Sequence, residues 1–459
     1  MLQVMHSGTG QNCNGHTRRT ALKAGVLSFG GLSLAGLQKL RAEGKAAKNE
    51  KSVILIWLDG GLSQLESYDP KPDAAVEYRG PFGAISTKVP GITLSELLPR
   101  HAALADKMAF VRSLHHGTGD HFAAAHWMLT GRFGSTTANQ APKFPSVGSY
   151  VSKMRGANKA GMPAYVGLPA AESVYLFPGY QGAAYLGSEY NPFDVDTEQK
   201  YLHFSYNVQI GRPKFLASMQ QQVPERMTSR QSLLSSLDSM RRDLDRSGRM
   251  RAMDRYQQDA LGMVIGPEAQ AAFDLEKEDP KNAERYGKNP WGRYTLMARR
   301  LVEAGVTFVT VDMPHWDDHS NIAVGHGGKV PIVDQAVGAL VEDLSERGLL
   351  DQVLVVVMTE FGRTPRINSG QPGIPIPGRD HWGDAISVML AGGGLAKGIV
   401  VGATNGQAAF PIERPLGPHD LLATIYRVMG IDWTQSFLDY AGRPVPILSE
   451  GEPIRELFA

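Results

Sequence analysis

Three acidic positions directly follow apolar runs, a placement that can gather them around one cation. Asp59 ends "VILIWLD", the cluster "DMPHWDDHSN" follows "GVTFVTV", and Glu360 follows "VLVVVMT". In an open parallel sheet the ligand crevice lies beyond the carboxyl ends of the strands, so residues placed there converge. Each acid also has a purely structural reading. Asp59 before Gly60 and Gly61 can open a turn, Asp317 can cap a helix, and Glu360 can pair with Arg363.

Histidines strengthen the metal reading. Of 13 in the chain, eight fall in three windows: His115, His116, His121 and His126; His315, His319 and His326; and His381. In "WDDH", Asp317 and His319 are two apart, and in an extended segment residues i and i+2 point the same way. With a third ligand from "GRDHW" and acids from other strand ends, the set makes a mixed oxygen and nitrogen site. Such a site suits a divalent metal: zinc, manganese, iron or a harder ion such as calcium or magnesium. Three arginines lie beside these motifs: Arg132 in "LTGR", Arg363 in "EFGRTP" and Arg379 in "PGRDH". A guanidinium fork matches phosphate or sulfate oxygens, so all three are candidate anion binders, Arg363 first among them. Each can instead brace a neighbouring carboxylate.

The elements that must carry these groups follow from periodicity. Runs at Val53 to Leu58, Met108 to Ser113, Ala164 to Leu168, Val306 to Val311, Val353 to Thr359 and Ile386 to Leu390 have few polar interruptions, as strands covered on both faces do. Between them, "LSELLPRHAALADK", "SVGSYVSKM", "WGRYTLMARRLVEAG" and "VPIVDQAVGALVEDLSERG" space apolar residues by three and four, which predicts helices. That alternation predicts an α/β fold with a mostly parallel sheet. From about 193 to 289 the composition turns charged and rich in Met and Gln, which predicts a helical insertion. "INSGQPGIPIPGRDHWG" reads as a long loop, and "LAGGGLAKGIVVGATNG" as a glycine turn leading into an edge hairpin, since it lacks the ending of a phosphate-binding loop.

Composition sets the outer limits. The 459 residues are 42% hydrophobic and 20% charged, enough for a large core. Lys plus Arg number 47 against 46 Asp plus Glu, and a net charge of +1 gives no electrostatic case for nucleic acid as a partner. Cys13 is the only cysteine and lies in the first 46 residues, so any metal must be held by oxygen and imidazole. Those first 46 residues resemble a twin-arginine export signal. Thr17, Arg18, Arg19, Leu22 and Lys23 occupy matching positions, with Ala21 where Phe is usual, ahead of a weakly apolar stretch too short to span a membrane. The resemblance implies an exported protein, periplasmic or secreted, with no stable transmembrane anchor once the signal is removed. The domain proper then runs from 47 to 459.

Six segments in order, "WLDGGLSQLESYDPKP", "HWMLTGR", "WDDHSN", "TEFGRTPRIN", "GRDHWGDAISVMLAGGG" and "GPHDLLATIYRVMGID", resemble the DUF1501 family, exported proteins related to the alkaline phosphatase and sulfatase superfamily. The resemblance implies a three-layer fold of alkaline-phosphatase-like type. It implies that Asp59 is the first-strand metal ligand and that Asp317, His319 and His381 bind one ion. Glu360 stands where the superfamily has the Asp of an Asp-His pair, but Phe361 cannot coordinate anything. The superfamily nucleophile lies nine residues before the Thr of "TGR", and counting back from Thr130 gives His121, preceded by Asp120. A helix start favours negative charge. His121 can attack as an imidazole, bind the metal or act as a general acid; Asp120 is catalytic or a helix cap; Thr118 and Ser63 are reserve hydroxyls. The implied activity is metal-dependent hydrolysis of a phosphate or sulfate ester on a small molecule or glycan. The alternative is a metal-containing binding protein for an anionic glycan or envelope component. A phosphoglycerate-mutase-like transferase fits export poorly.

Overall fold

The computed structural model describes residues 50–134, 143–171, 180–195 and 266–458. Its centre is strand β1 (Ser52–Trp57), flanked in parallel by β5 (Phe308–Asp312) and β6 (Val353–Met358). Outward from β5 lie β3 (Tyr165–Leu168) and the short β4 (Phe193–Asp194), both parallel. Outward from β6 lie β7 (Ile386–Gly392), antiparallel to both neighbours, then β2 (Met108–Leu114) and β8 (Ile399–Val401). Among the described residues this is a sheet of eight strands in the order β8-β2-β7-β6-β1-β5-β3-β4. The fold is therefore α/β with a mostly parallel sheet, as the sequence pattern predicts, and all six predicted strands are present.

Alternation along β1 explains why every one of its residues is apolar or small. Val53, Leu55 and Trp57 pack into one core, while Ile54, Ile56 and Leu58 pack into a second. Both faces are thus covered, as a central parallel strand requires, and each large side chain so buried contributes roughly 1.5–3 kcal/mol. Helices α1 (His121–Thr130), α2 (Val147–Arg155) and α5 (Pro418–Val428) line the first core. Helices α3 (Pro290–Ala304) and α4 (Ile322–Glu346) line the second. Three layers result.

Two predictions change in detail. "LSELLPRHAALADK" is not one helix: Thr93–Ser95 is a strand, and a short helix spans Pro99–Ala103. Pro99 is the reason, because proline lacks the N–H a helix interior needs but fits its first turn. The glycine run turns from β7 through Gly392, Gly393 and Gly394, all at positive φ, as predicted, but the edge strand β8 it leads to pairs in parallel with β2 in place of forming a hairpin with β7. Of the predicted insertion, residues 196–265 lie outside the described residues, as do 1–49 with the export-signal reading. Its described flanks are β4 and the helices Pro267–Phe273 and Pro280–Arg285. Among the described residues no helix is long and apolar enough to cross a membrane.

Candidate metal centre

The segment after β5 turns sharply. His315 and Asn321 both adopt left-handed backbone, with φ of 76° and 54°. Between them Trp316, fully buried, donates its indole N–H to the Met313 carbonyl (2.8 Å) and stacks on Trp291 at 5.8 Å. With Trp316 anchored, alternate residues face opposite ways. Asp318 turns inward to His326 (2.7 Å) and Lys329 (2.9 Å), while Asp317 and His319 turn outward together, His319 Nε2 lying 3.0 Å from Asp317 Oδ1.

Three further segments meet this pair. Helix α1 begins at His121, whose Nε2 lies 3.4 Å from Asp317 Oδ2 and whose Nδ1 lies 2.9 Å from Glu360 Oε1. Glu360 follows β6 at full burial and accepts the Gly60 N–H (2.8 Å) and the Thr359 hydroxyl (3.0 Å). A two-residue antiparallel pairing of Gly362–Arg363 with His381–Trp382 brings in His381, with Nε2 at 2.8 Å from Asp317 Oδ1.

The hydrogen-bond roles at these rings decide what can sit among them. Each Nδ1 faces a group that only accepts: the Glu360 carboxylate for His121, the Asp380 carboxylate (2.6 Å) for His319, and the Gly119 carbonyl (2.7 Å) for His381. Each Nδ1 is therefore the donor, and in a neutral ring Nε2 presents a lone pair. Three such lone pairs face one carboxylate, an arrangement that only positive charge relieves. It can come as protons, and burial, which opposes the charged form, is outweighed at His121 by Asp317 and Glu360, leaving its pKa at about 9. Asp317 is held well below the usual carboxylate range, burial being outweighed by His121, His381 and Arg363. Or it can come as a cation: His121, Asp317 and His381 offer ligand atoms all within 4.8 Å of one another. Their side chains are 12%, 21% and 20% exposed, so the position opens to solvent. Backing carboxylates and a backbone carbonyl on the outer ring nitrogens are what metal-binding histidines carry. The residues fit a divalent cation.

The other predicted site residues fall outside the group of three, some in contact with it and some away from it. Asp59 is fully buried, its Oδ1 accepting from the indole of Trp57 at 3.3 Å, and it lies outside the group of three. What the end of β1 delivers is Gly60 (φ 120°), where a Cβ would lie 2.7 Å from Trp316 N and 2.8 Å from Asp317 N, so only glycine lets the two backbones close. Glu360 backs His121 in place of joining the group. Asp120 is the N-cap of α1, accepting the Ala123 N–H at 2.9 Å. Arg363 takes the bracing role: fully buried, it donates to the carbonyls of Gly60, Gly61, Arg379 and Trp316 and to Asp317. Arg379, also fully buried, pairs with Glu66 and donates to the carbonyls of Thr364, Pro365 and Tyr78. Arg132 follows the C-terminal end of α1, about 15 Å of helix from His121 by the usual rise, and donates to Pro446. Ser63 donates to Glu66, and the Thr118 hydroxyl accepts from Asp120 N at 3.3 Å.

The family model described as "Protein of unknown function (DUF1501)" matches residues 50–458. The chain belongs to the DUF1501 family. No curated protein matches this DUF1501 chain. Among solved structures it is similar to the PsFucS1 sulfatase from Pseudoalteromonas sp. at 14% identity and a TM-score of 0.39, over 87% of this chain and 70% of that one. It is similar to a phosphonate monoester hydrolase of Agrobacterium radiobacter at 13% and 0.35, over 89% and 77%. It is also similar to the lipoteichoic acid synthase LtaP from Listeria monocytogenes at 10% and 0.35, over 84% and 73%.

Sequence reasoning missed two residues of this DUF1501 centre. Asp380 backs His319, and Asn368 backs Asp380 at 3.2 Å. Asp380 carries a readable signal, because an acid directly before a ligand histidine can serve a second ring. Asn368 carries none, since its partners lie up to 49 residues away.

Proposed function

We propose that this protein is an exported metal-dependent hydrolase of phosphate or sulfate esters. One observation carries the metal-dependent part: three imidazoles, each with Nδ1 already committed, turn Nε2 toward one half-buried carboxylate. The ester class comes from the motif resemblance, and the export part from residues 1–46. His121, Asp317 and His381 hold the cation, with His319 beside Asp317. Imidazole-rich donors suit zinc, then manganese or iron, better than calcium or magnesium, which prefer oxygen. Three protein ligands leave a coordination position open, as in catalytic zinc sites. A divalent cation there supplies charge neutralisation at the ester oxygens and acidifies water.

The chain's own residues then orient and exclude. Glu360, Asp380 and Gly119 fix which ring nitrogen of each histidine faces the centre. Phe361, fully buried, stacks on His381 at 4.4 Å and tilts against His121 at 4.8 Å, walling off the inner side. The hydroxyls of Ser63 and Thr118 have other partners, so attack by water fits this site better than attack by a protein hydroxyl. The second reading, a metal-containing protein that binds an anionic glycan, is favoured by His121 standing where the resemblance implies a hydroxyl nucleophile and by Phe361 standing where it implies a second ligand.

The test is metal analysis by mass spectrometry on the purified protein, with aryl phosphates, phosphodiesters and aryl sulfates as substrates. The proposal expects about one metal per chain and turnover on at least one ester class, both lost in His381→Ala. Stoichiometric metal without turnover selects the binding reading. Absence of bound metal from the wild type overturns both.

A further inference from the structure

We propose that Asn368 is the positioning residue of this centre, acting through His319. Its amide makes a closed loop. Nδ2 donates to the main-chain carbonyl of His319 (2.9 Å) and to Asp380 Oδ2 (3.2 Å), while Asp380 Oδ1 takes the Nδ1 hydrogen of the same His319 (2.6 Å). One side chain thus grips His319 at its backbone and, through Asp380, at its ring.

The other half of the amide holds the loop that carries Asp380. Oδ1 accepts from Gly370 N and Gly378 N, each at 2.9 Å, and Asn368 N donates to the Gly378 carbonyl at 2.9 Å. Both N–H groups and both acceptor positions of the amide are filled, the full capacity of an asparagine side chain. Gly378 lets the loop approach, because a Cβ there would lie 2.4 Å from the carbonyl of His319. Aspartate at 368 could keep the bonds to the two glycines but would lose both donors and set a negative charge against Asp380. Glycine-loop geometry and the grip on His319 are therefore separable by substitution.

This inference rests on the proposed metal centre, and two readouts keep their failures apart. The first is zinc affinity by chelator competition in wild type, Asn368→Asp, Asn368→Ala and each change placed in a His319→Ala background. Loss of an outer partner of a metal ligand weakens binding roughly 10–100-fold, and Asn368 acts one residue further out, through His319 beside the ligand Asp317, so a loss toward the lower end is expected. Asn368→Asp and Asn368→Ala should both show that loss in the wild-type background and none beyond it in His319→Ala. Equal losses in both backgrounds, or wild-type affinity in Asn368→Asp, overturn the proposal. The second readout needs no metal. In 15N-histidine spectra of the metal-free protein, His319 should be held with its proton on Nδ1 in wild type and lose that preference in Asn368→Asp. An unchanged His319 signal overturns the role of Asn368 even if zinc fails to bind, whereas absent zinc binding with the expected spectra overturns only the functional reading.

Discussion

The centre has the character of a group of bases waiting for a positive charge, and at residue scale that makes metal and proton competitors. In the metal-free protein His121 holds its proton to a pKa of about 9 because Asp317 and Glu360 outweigh its burial. A ligand imidazole must be neutral, so binding expels that proton wherever the pH lies below about 9. Zinc affinity should therefore rise about tenfold per pH unit on approach to that pKa and flatten above it. Calorimetry in buffers of different ionisation enthalpy should find about one proton released per metal at neutral pH. Affinity independent of pH between 6 and 8 would remove His121 from the ligand set. Asp317, His319 and Glu360 were legible because spacing two apart and placement at strand ends are local properties. For Arg363 and Arg379 the sequence left two readings open for a physical reason: a guanidinium beside a motif has the same sequence whether it faces a ligand anion or a carboxylate and carbonyls of its own chain. Burial by distant chain decides which.

At the scale of elements, the long periodic segments were readable and the contacts between their ends were not. β1 was expected to deliver an acid, yet its end contributes the close approach of Gly60 to the backbone of Trp316 and Asp317. Gly60→Ala adds a methyl group within 3 Å of two backbone nitrogens at φ 120°, where an L side chain is strained. Such strain costs of order 1–3 kcal/mol. The variant should lose that stability in urea denaturation and should also bind zinc more weakly, because the displaced backbone carries Asp317. Helices α3 and α4 are joined by a different device. Arg299, 2% exposed, meets Glu278 at 2.5 Å and Asp343 at 2.9 Å. Burial pushes both carboxyls up, but Asn282 with Arg300 for Glu278, and Asn282 with Arg347 for Asp343, hold them below their ordinary values. Depressed carboxyl pKa values stabilise the fold above the unfolded values near 4 and cease to do so as pH falls through the folded ones. Arg299→Met removes the shared partner, and because Arg300 still pairs with Glu278 and Arg347 with Asp343, the cost at pH 7 should fall below the roughly 3–5 kcal/mol of a buried charge left with no partner. The deficit should shrink toward pH 4, where the two carboxylates, one partner short, can take up protons; a deficit constant with pH would deny that their charge is its source.

For the molecule as a whole, the centre joins parts of the chain that the sheet order brings side by side. His121 follows β2, Asp317 and His319 follow β5, and Glu360 follows β6. His381 precedes β7, the antiparallel strand, and so meets the same edge from the opposite direction. The position of the crevice beyond the carboxyl ends of parallel strands made this meeting predictable in outline, but strand order fixed which ends became neighbours, and order is not written in any local pattern. A cation bound at such a junction stabilises the native state only, since the unfolded chain scatters the ligands. At free metal one hundred times the dissociation constant the gain is about 2.7 kcal/mol. Zinc should therefore raise the thermal midpoint of the wild type, a chelator should return it, and His381→Ala should show neither change. Because one ligand set ties β2, β5 and β7 at a single edge, with Glu360 after β6 backing His121, the gain should appear in the main cooperative transition. A separate, earlier transition that alone responds to zinc would mean that the crevice loops unfold independently of the sheet, and that the sheet does not serve as their rigid support.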